Sequence, residues 1–274
     1  MLLLWSIGFL PCAVSVIGTI DSLWRYPVKS MKGEELDELF AGYAGVYGDR
    51  LFAFCSSGAP PGFPYFTGRD QRQMIRYRAC FRAGAQAARP INLLEAEENG
   101  AWPLPAAAAE MGLDVESPDG KVFAIDDPAL IENLRAGINH LHEIRLIRSD
   151  RSLTDCAPVS FFSLQTARQL AEESGTSIDK RQFRANVYLD LPGLPAFAED
   201  DFVGRSLRLG SKVVASIVKR DGRCMMITLD PETAEKSPQV LKAVAQNHDG
   251  KAGLYGAVLI EGLVRKGDPV ELLD

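Results

Sequence analysis

Histidine and paired cysteine are what this sequence has least of. Its 274 residues hold three histidines, His140, His142 and His248, and none belongs to an H-E-x-x-H pattern. The five cysteines, Cys12, Cys55, Cys80, Cys156 and Cys224, are an odd, scattered set with no C-x-x-C pair. Zinc-ribbon spacing is therefore excluded, and the chain reads as reduced and cytosolic rather than disulfide-framed. A cysteine with a chemical role here must act alone. Basic runs are also missing. Lys and Arg total 30 against 36 for Asp and Glu, a net charge of -6, so nucleic acid is not an expected partner. With 46% hydrophobic and 24% charged residues, disorder, collagen and coiled coil are excluded as the main architecture. The length suggests one large domain or two modest ones, with no internal repeat and no long linker.

Charge is absent from Met1 to Ile20, a strongly apolar stretch. It lacks the positive n-region and A-x-A site of a secretory signal, and Leu10-Pro11-Cys12 is only faintly similar to a lipoprotein cleavage box. About twenty apolar residues just span a bilayer. Gly8, Pro11 and Gly18 interrupt the run, however, and Val16 to Trp24 reads as a strand entering the fold. An upstream extension or misplaced start, a membrane anchor through residues 1–20, and a signal all stay open. Cytoplasmic location is the expectation for the remainder.

The rest of the chain is mostly short strands punctuated by Gly, Pro and Asp turns. Candidates are Val16 to Tyr26, Leu51 to Cys55, Gln73 to Ala79, Lys121 to Ile125 and Glu143 to Arg148. Ala185 to Leu189, Ser206 to Leu209, Lys212 to Lys219, Ala257 to Glu261 and Pro269 to Leu273 complete the set. Gly210-Ser211 suits a hairpin turn. Three helices carry start signals: Asp127-Pro128, Ser163 with a stop at Gly175, and Ser237-Pro238. The pattern predicts a mostly β, α+β chain of barrel-like units decorated by helices.

Four constellations could carry chemistry. In Asp221-Gly222-Arg223-Cys224, a thiol stands beside a guanidinium in a glycine-bearing turn after a strand. Thiolate ligates soft transition metals or attacks electrophiles, but a buried cysteine is equally a small hydrophobe. Lys29-Ser30, delivered by a proline turn, suits an anionic ligand or is a solvated basic turn. Gly48-Asp49-Arg50 and Thr67-Gly68-Arg69 offer bidentate clamps for phosphate, or surface ion pairs. In Phe183-Arg184-Ala185-Asn186-Val187, Arg184 and Asn186 alternate onto one strand face. The acidic Glu34, Glu35, Asp37 and Glu38 read as a solvated face or a donor-docking site. Met225 and Met226 read as core, and His140 and His142 as solvated or capping groups.

These residues, with others, carry a resemblance. Trp24-Arg25-Tyr26-Pro27-Val28-Lys29-Ser30, Gly48-Asp49-Arg50, Asp155-Cys156-Ala157-Pro158 and Phe183 to Asn186 occur in order. Phe197 to Phe202, Arg223 to Pro231 and Gly267-Asp268-Pro269-Val270 come after them. The chain from Val16 to Asp274 resembles the MOSC superfamily, in its two-part form with an amino-terminal β-barrel domain, which includes the mitochondrial amidoxime-reducing component and bacterial relatives. The resemblance implies an apolar leader at 1–15, a MOSC N-terminal β-barrel domain at 16–132 and a MOSC domain at 133–274.

It further implies a molybdenum cofactor in a cleft between the two, with Cys224 as thiolate ligand to the metal. Lys29, Ser30, Arg50, Arg184 and Arg223 would bind the cofactor's phosphate and pterin edges, with Asn186 and Tyr255 in the same shell. Asp155 would lie near the metal and handle protons. The implied activity is reduction of small N-hydroxylated compounds by oxygen-atom removal. Electrons would come from a separate flavin, iron–sulfur or haem protein, because the carboxy-terminal iron–sulfur domain of some relatives is missing. The alternatives are a non-catalytic carrier of molybdenum cofactor or its sulfur, and a cofactor-free interaction module. Pyridoxal phosphate binding is a further family-level association. The chain departs from the family pattern at Ala185 for proline, Cys156-Ala157 for a hydroxyl pair, and Ala234 for glycine.

Overall fold

A computed structural model of the chain describes residues 15–84, 88–138 and 142–273. In chain order the first strands are β1 (Ser15–Arg25), β2 (Glu34–Leu36), β3 (Glu38–Gly42), β4 (Gly45–Val46), β5 (Phe52–Ser56) and β6 (Tyr65–Phe66). Then come β7 (Arg78–Phe81), β8 (Leu113–Glu116), β9 (Val122–Ala124), β10 (Ile144–Arg148), β11 (Val159–Ser163) and β12 (Val187–Asp190). The last are β13 (Ser206–Leu209), β14 (Val213–Gly222), β15 (Lys251–Ile260), β16 (Gly262–Arg265) and β17 (Pro269–Leu273). The helices are α1 (Leu93–Asn99), α2 (Pro128–Arg135), α3 (Leu164–Ser174) and α4 (Pro238–Asn247). The chain is mostly β with a few helices. Among the described residues no helix is long and apolar enough to cross a membrane.

Strands β12-β11-β15-β14-β13-β17-β1 form one sheet, and β1 pairs back onto β12 to close it into a seven-stranded barrel. Closure leaves no unpaired edge among those strands. Six of the seven come from the second half of the chain, and β1 supplies the missing stave from the first. The inner face of the barrel buries Ile20 and Leu23 of β1 with Phe161, Leu189, Leu207 and Leu254. Residues 15–20, part of the candidate membrane anchor, thus belong to a paired strand. Residues 1–14 lie outside the described part, as does His140.

A second core lies beside the barrel. Sheets β10-β5-β6 and β7-β8-β9 enclose Phe52, Phe54, Phe66, Met74, Leu113 and Val115. Helix α2 closes it with Leu130 and Leu134. Bridges Val28↔Phe52 and Lys32↔Arg78 run the segment after β1 between the two sheets. A third sheet, β16-β3-β4, stitches the two halves together, pairing Gly262 with Ala41 and Val264 with Leu39.

Local chemistry explains most boundaries. Asp127 accepts from Ala129 N at 2.8 Å ahead of Pro128, and Ser163 accepts from Thr166 N at 3.0 Å. Gly175 ends α3 in the left-handed region. Gly210 turns the β13–β14 hairpin at φ 62°.

Several expectations need correction. The segment expected as a strand from Gln73 begins as a 3-10 helix, Arg72–Arg76, because the Gln71 side chain caps Gln73 N; extended structure resumes only at Arg78. Arg184 and Asn186 do not alternate along a strand. A capping box on Asp179 sets a short 3-10 helix, Lys180–Phe183, whose end turns Arg184 left-handed, and β12 starts at Val187. The acidic segment forms β2 and the start of β3, with Glu34 accepting from Arg25 Nε at 2.6 Å and Glu35 paired to Lys266 at 3.2 Å.

Candidate functional site

A cleft opens where one end of the barrel meets the second core. Its floor is set by how β14 ends. The β14–β15 register shifts between Ile217 and Lys219 and again between Arg220 and Gly222. Such bulges bend a strand and re-aim its side chains. Here they bring Asp221 and Arg223 inward, and Cys224 then caps the 3-10 helix Met225–Thr228.

Arg223 is fixed by backbone. Its Nε donates to Ala252 O at 2.6 Å and Nη1 to Phe183 O at 2.9 Å, while Asp221 Oδ2 lies 2.8 Å from Nη1. Its Nη2 is buried with no hydrogen-bond partner. Gly253 makes this possible: a Cβ there would stand 2.7 Å from Phe161 O and 2.9 Å from Arg223 Nη2. The guanidinium adjacent in sequence to Cys224 is thus committed elsewhere. The one that hydrogen-bonds the Cys224 thiol is Arg69, from the loop after β6, whose own charge is reinforced by that thiol. Arg69 also lies 4.7 Å over the Phe63 ring, in a turn where Asp70 accepts from Thr67 N at 2.8 Å.

On the opposite wall, buried Asp49 accepts from Tyr26 N at 2.8 Å and from Arg50 Nη1 at 2.6 Å. Arg50 Nη2 donates to Arg184 O at 2.9 Å. Burial, with Arg50 close by, pushes the Arg184 guanidinium down to about 10. Its Nη2 is also buried without a partner. Ser30, Arg50 and Arg184 all adopt positive φ, at 66°, 48° and 53°. Non-glycine residues in that region store strain that a packed surround must hold, as at ligand-binding sites.

Lys29, 6% exposed, donates through Nζ to Leu153 O at 2.7 Å and to Asp155, and lies 4.5 Å over the Tyr65 ring. Burial pushes its ammonium down despite Asp155. For Asp155 burial acts upward, but Lys29, Arg50 and Arg69 outweigh it and hold the carboxyl below its usual range. Asp221 differs: burial keeps it above the usual range, against Arg223 and a hydrogen bond from Tyr255. Burial and Asp221 likewise push the Tyr255 phenol up.

Eight of the nine residues anticipated from sequence line this one cleft: Lys29, Ser30, Arg50, Asp155, Arg184, Arg223, Cys224 and Tyr255. Asn186 does not. It is buried behind the wall, where its Oδ1 accepts from Ser160 Oγ at 3.0 Å and its Nδ2 donates to Trp24 O at 3.2 Å. Sequence reasoning flagged Arg69 for phosphate without seeing the thiol, and left Asp221 without a role. Met226, expected in the core, lines the cleft, with its sulfur against Gly68. Among the described residues no three His, Cys, Asp or Glu side chains group as a metal cage.

Barrel and cleft together define a two-part β protein with a lone half-buried thiol in a pocket lined by one lysine and four arginines. The chain belongs to the MOSC superfamily. The MOSC domain family matches residues 148–271, and the MOSC N-terminal beta barrel domain family matches residues 17–92. Among solved structures it is similar to the YuaD protein from Bacillus subtilis, at 13% identity over 93% of this chain and 94% of that one, TM-score 0.47. It is also similar to YiiM from Geobacillus stearothermophilus, at 22% identity over 47% of this chain and 67% of that one, TM-score 0.35. No match was found among curated proteins.

Proposed function

We propose that this cleft binds a molybdenum cofactor and that the protein reduces small N-hydroxylated compounds, with electrons delivered by a separate redox protein. The carrying observation is the pair of buried, partnerless guanidinium nitrogens, Arg184 Nη2 and Arg223 Nη2, in the pocket that also holds Cys224. Buried polar groups are almost always hydrogen-bonded, and a charged donor left alone is costly. An anionic ligand with phosphate oxygens satisfies both, and a soft thiolate suits a molybdenum centre. The residues present therefore fit the group.

In this reading Cys224 ligates the metal, while Lys29, Ser30, Arg50, Arg184 and Arg223 hold the phosphate and pterin portions. The cofactor supplies the two-electron redox chemistry. The chain's own contribution is electrostatic and geometric. Five cations neutralise the ligand's charge, Arg69 aligns the Cys224 sulfur, and the backbone carbonyls of Phe183 and Ala252 lock Arg223 before anything binds. This reading assigns proton handling to Asp155, which pairs with Lys29, while Asp221 pairs with Arg223.

Elemental analysis of protein from a cofactor-competent host, alongside assay of a hydroxylamine or amidoxime with an artificial electron donor, tests this. Near-stoichiometric molybdenum and turnover in the parent, both disturbed in Cys224→Ser, are expected. Metal-free protein from a host that loads a control molybdoenzyme would overturn the cofactor assignment. Full metal without turnover would leave a carrier.

A further inference from the structure

A groove adjoins the cleft, bounded by the turn after β6, the end of α2 and the loop that carries Lys236. Arg69 lines both concavities, so the groove begins at the cleft's mouth. Its wall is preformed. The Gln71 side chain donates to Ala136 O at 3.0 Å and accepts from Gln73 N at 3.3 Å, which ties the turn to the residue that ends α2. The Arg69 guanidinium rests 4.7 Å over the Phe63 ring.

The groove's charge is one-sided. Arg69, Arg72 and Lys236 line it from two separate segments, with Asp70 as their acidic neighbour. The Asp70 carboxylate is committed to its own turn, where it accepts from Thr67 N at 2.8 Å and Thr67 Oγ1 at 3.3 Å. Glu232, on the loop that brings Lys236, is held by Lys32 at 2.7 Å and Arg181 at 2.6 Å. Among the described residues no carboxylate stands within ion-pair distance of Arg69, Arg72 or Lys236. The chain carries 36 acidic residues against 30 basic ones, so three unpaired cations around one concavity are a local excess that an anion would balance.

We propose that this groove is a subsite for an anionic substituent, carboxylate or phosphate, on the substrate reduced in the cleft. Arg72 and Lys236 hold the anion, and Arg69 stands at the junction. The proposal rests on the N-hydroxyl reading for the reacting group. An N–OH group is small and neutral, and is shared by hydroxylamines and amidoximes alike, so selection among them falls to contacts with the non-reacting part of the molecule. A guanidinium fork takes carboxylate or phosphate oxygens in pairs, and an ammonium adds a point charge beside it. Cations recessed in a concavity that opens from the reaction site suit the tail of a small molecule better than the flat face of an acidic protein.

Lys236 reports occupancy without turnover. On the metal-free chain, acetylation by an N-hydroxysuccinimide ester is read at Lys236 by peptide mass spectrometry. 4-Carboxybenzamidoxime or 4-phosphonobenzamidoxime should slow it about tenfold at ten times Kd, and benzamidoxime should not. The stronger of the two anions identifies the tail, and protection should vanish in Arg72→Gln. Failure of both anions to protect Lys236 overturns the proposal. In cofactor-loaded protein with an artificial donor, Arg72→Gln/Lys236→Gln should raise KM for the better anion about tenfold, as two exposed ionic contacts together allow. Its kcat, and both constants for benzamidoxime, should stay within about twofold. Equal losses on charged and neutral compounds overturn the subsite. So does a variant slowed only when a reduced acidic flavodoxin replaces the artificial donor, which would mark the groove as a protein-docking face. A loaded parent whose Lys236 is protected, yet which reduces none of the three compounds, removes the N-hydroxyl reading and leaves the anion site standing.

Discussion

Arg50 and Arg184 stand over the same phenol ring, that of Tyr26, with guanidinium carbons 4.6 and 4.3 Å from its centre. They come from opposite halves of the chain, and Arg50 Nη2 also donates to the Arg184 carbonyl. Two like charges are thus packed side by side in a buried wall, tolerable because Tyr26 offers its π face and Asp49 its carboxylate. Such an arrangement favours binding of an anion over stability of the empty fold.

That opposition is measurable in Arg184→Gln. Removing one buried cation relieves both its desolvation and its repulsion with Arg50. The ligand-free variant should melt no lower than the parent by scanning fluorimetry, while its molybdenum content falls at least about tenfold, as loss of one charge-assisted contact implies. A variant that melts far below the parent yet keeps its metal would refute the idea that this wall is strained for an anion.

Gly253 links barrel closure to the cleft. Its φ of 80° disfavours any side chain, and an alanine methyl would press on Phe161 O and Arg223 Nη2. Gly253→Ala should therefore cost about 2 kcal/mol or more in denaturant unfolding and release Arg223 from Ala252 O. Loss of metal binding should accompany the loss of stability; an unperturbed melt would mean the barrel yields more easily than its geometry suggests.

The same glycines show why part of the fold was hidden in the sequence. Local signals were legible where one residue sets a boundary: Asp127-Pro128, Ser163 and Gly175 all cap helices as expected. β15 was seen only at its tail, because Gly253 and Gly256 break its apolar alternation; both are required by close approach to Phe161, a long-range fact. β11 escaped for a related reason. Buried along its whole length, it shows no alternation to detect. In the site, motif residues converge because each lies at a strand end or turn, whereas the Arg69–Cys224 contact joins positions 155 residues apart and has no local signature. Asn186 has a donor–acceptor side chain fit for a ligand, but Ser160 and Trp24 consume it.

Acidification probes the Lys29–Asp155 pair. The folded-state carboxyl lies below its unfolded value near 3.8, so the ionised form is the one the fold stabilises. That contribution is present above the unfolded value and is lost as pH falls through the folded one. Melting temperature should therefore drop more steeply below about pH 4 in the parent than in Asp155→Asn. Parallel curves would show that the pair adds nothing to folding, as many partly exposed ion pairs do.

Ala234 offers the sharpest test of backbone strain, because it is a non-glycine residue held in the left-handed region. It is buried, 1% exposed, and held at φ 60° by a hydrogen bond from its own N–H to Asp230 O at 2.9 Å. An L-residue in that region costs about 1–2 kcal/mol that glycine avoids. Glycine in turn loses about 0.4–1 kcal/mol through its freer unfolded chain. The difference favours Ala234→Gly by up to about 1.6 kcal/mol, a rise of at most about 3–6 °C in Tm for a chain of this size. Position adds a second consequence. The loop from Asp230 to Lys236 packs Leu229 and Ala234 against Ile75, Met225 and Met226, directly behind Cys224. Relaxing it should stabilise the protein without altering the cleft, so Ala234→Gly should raise Tm while leaving metal content unchanged. A fall in Tm would show that the alanine methyl's packing against Ile75 outweighs the strain it carries.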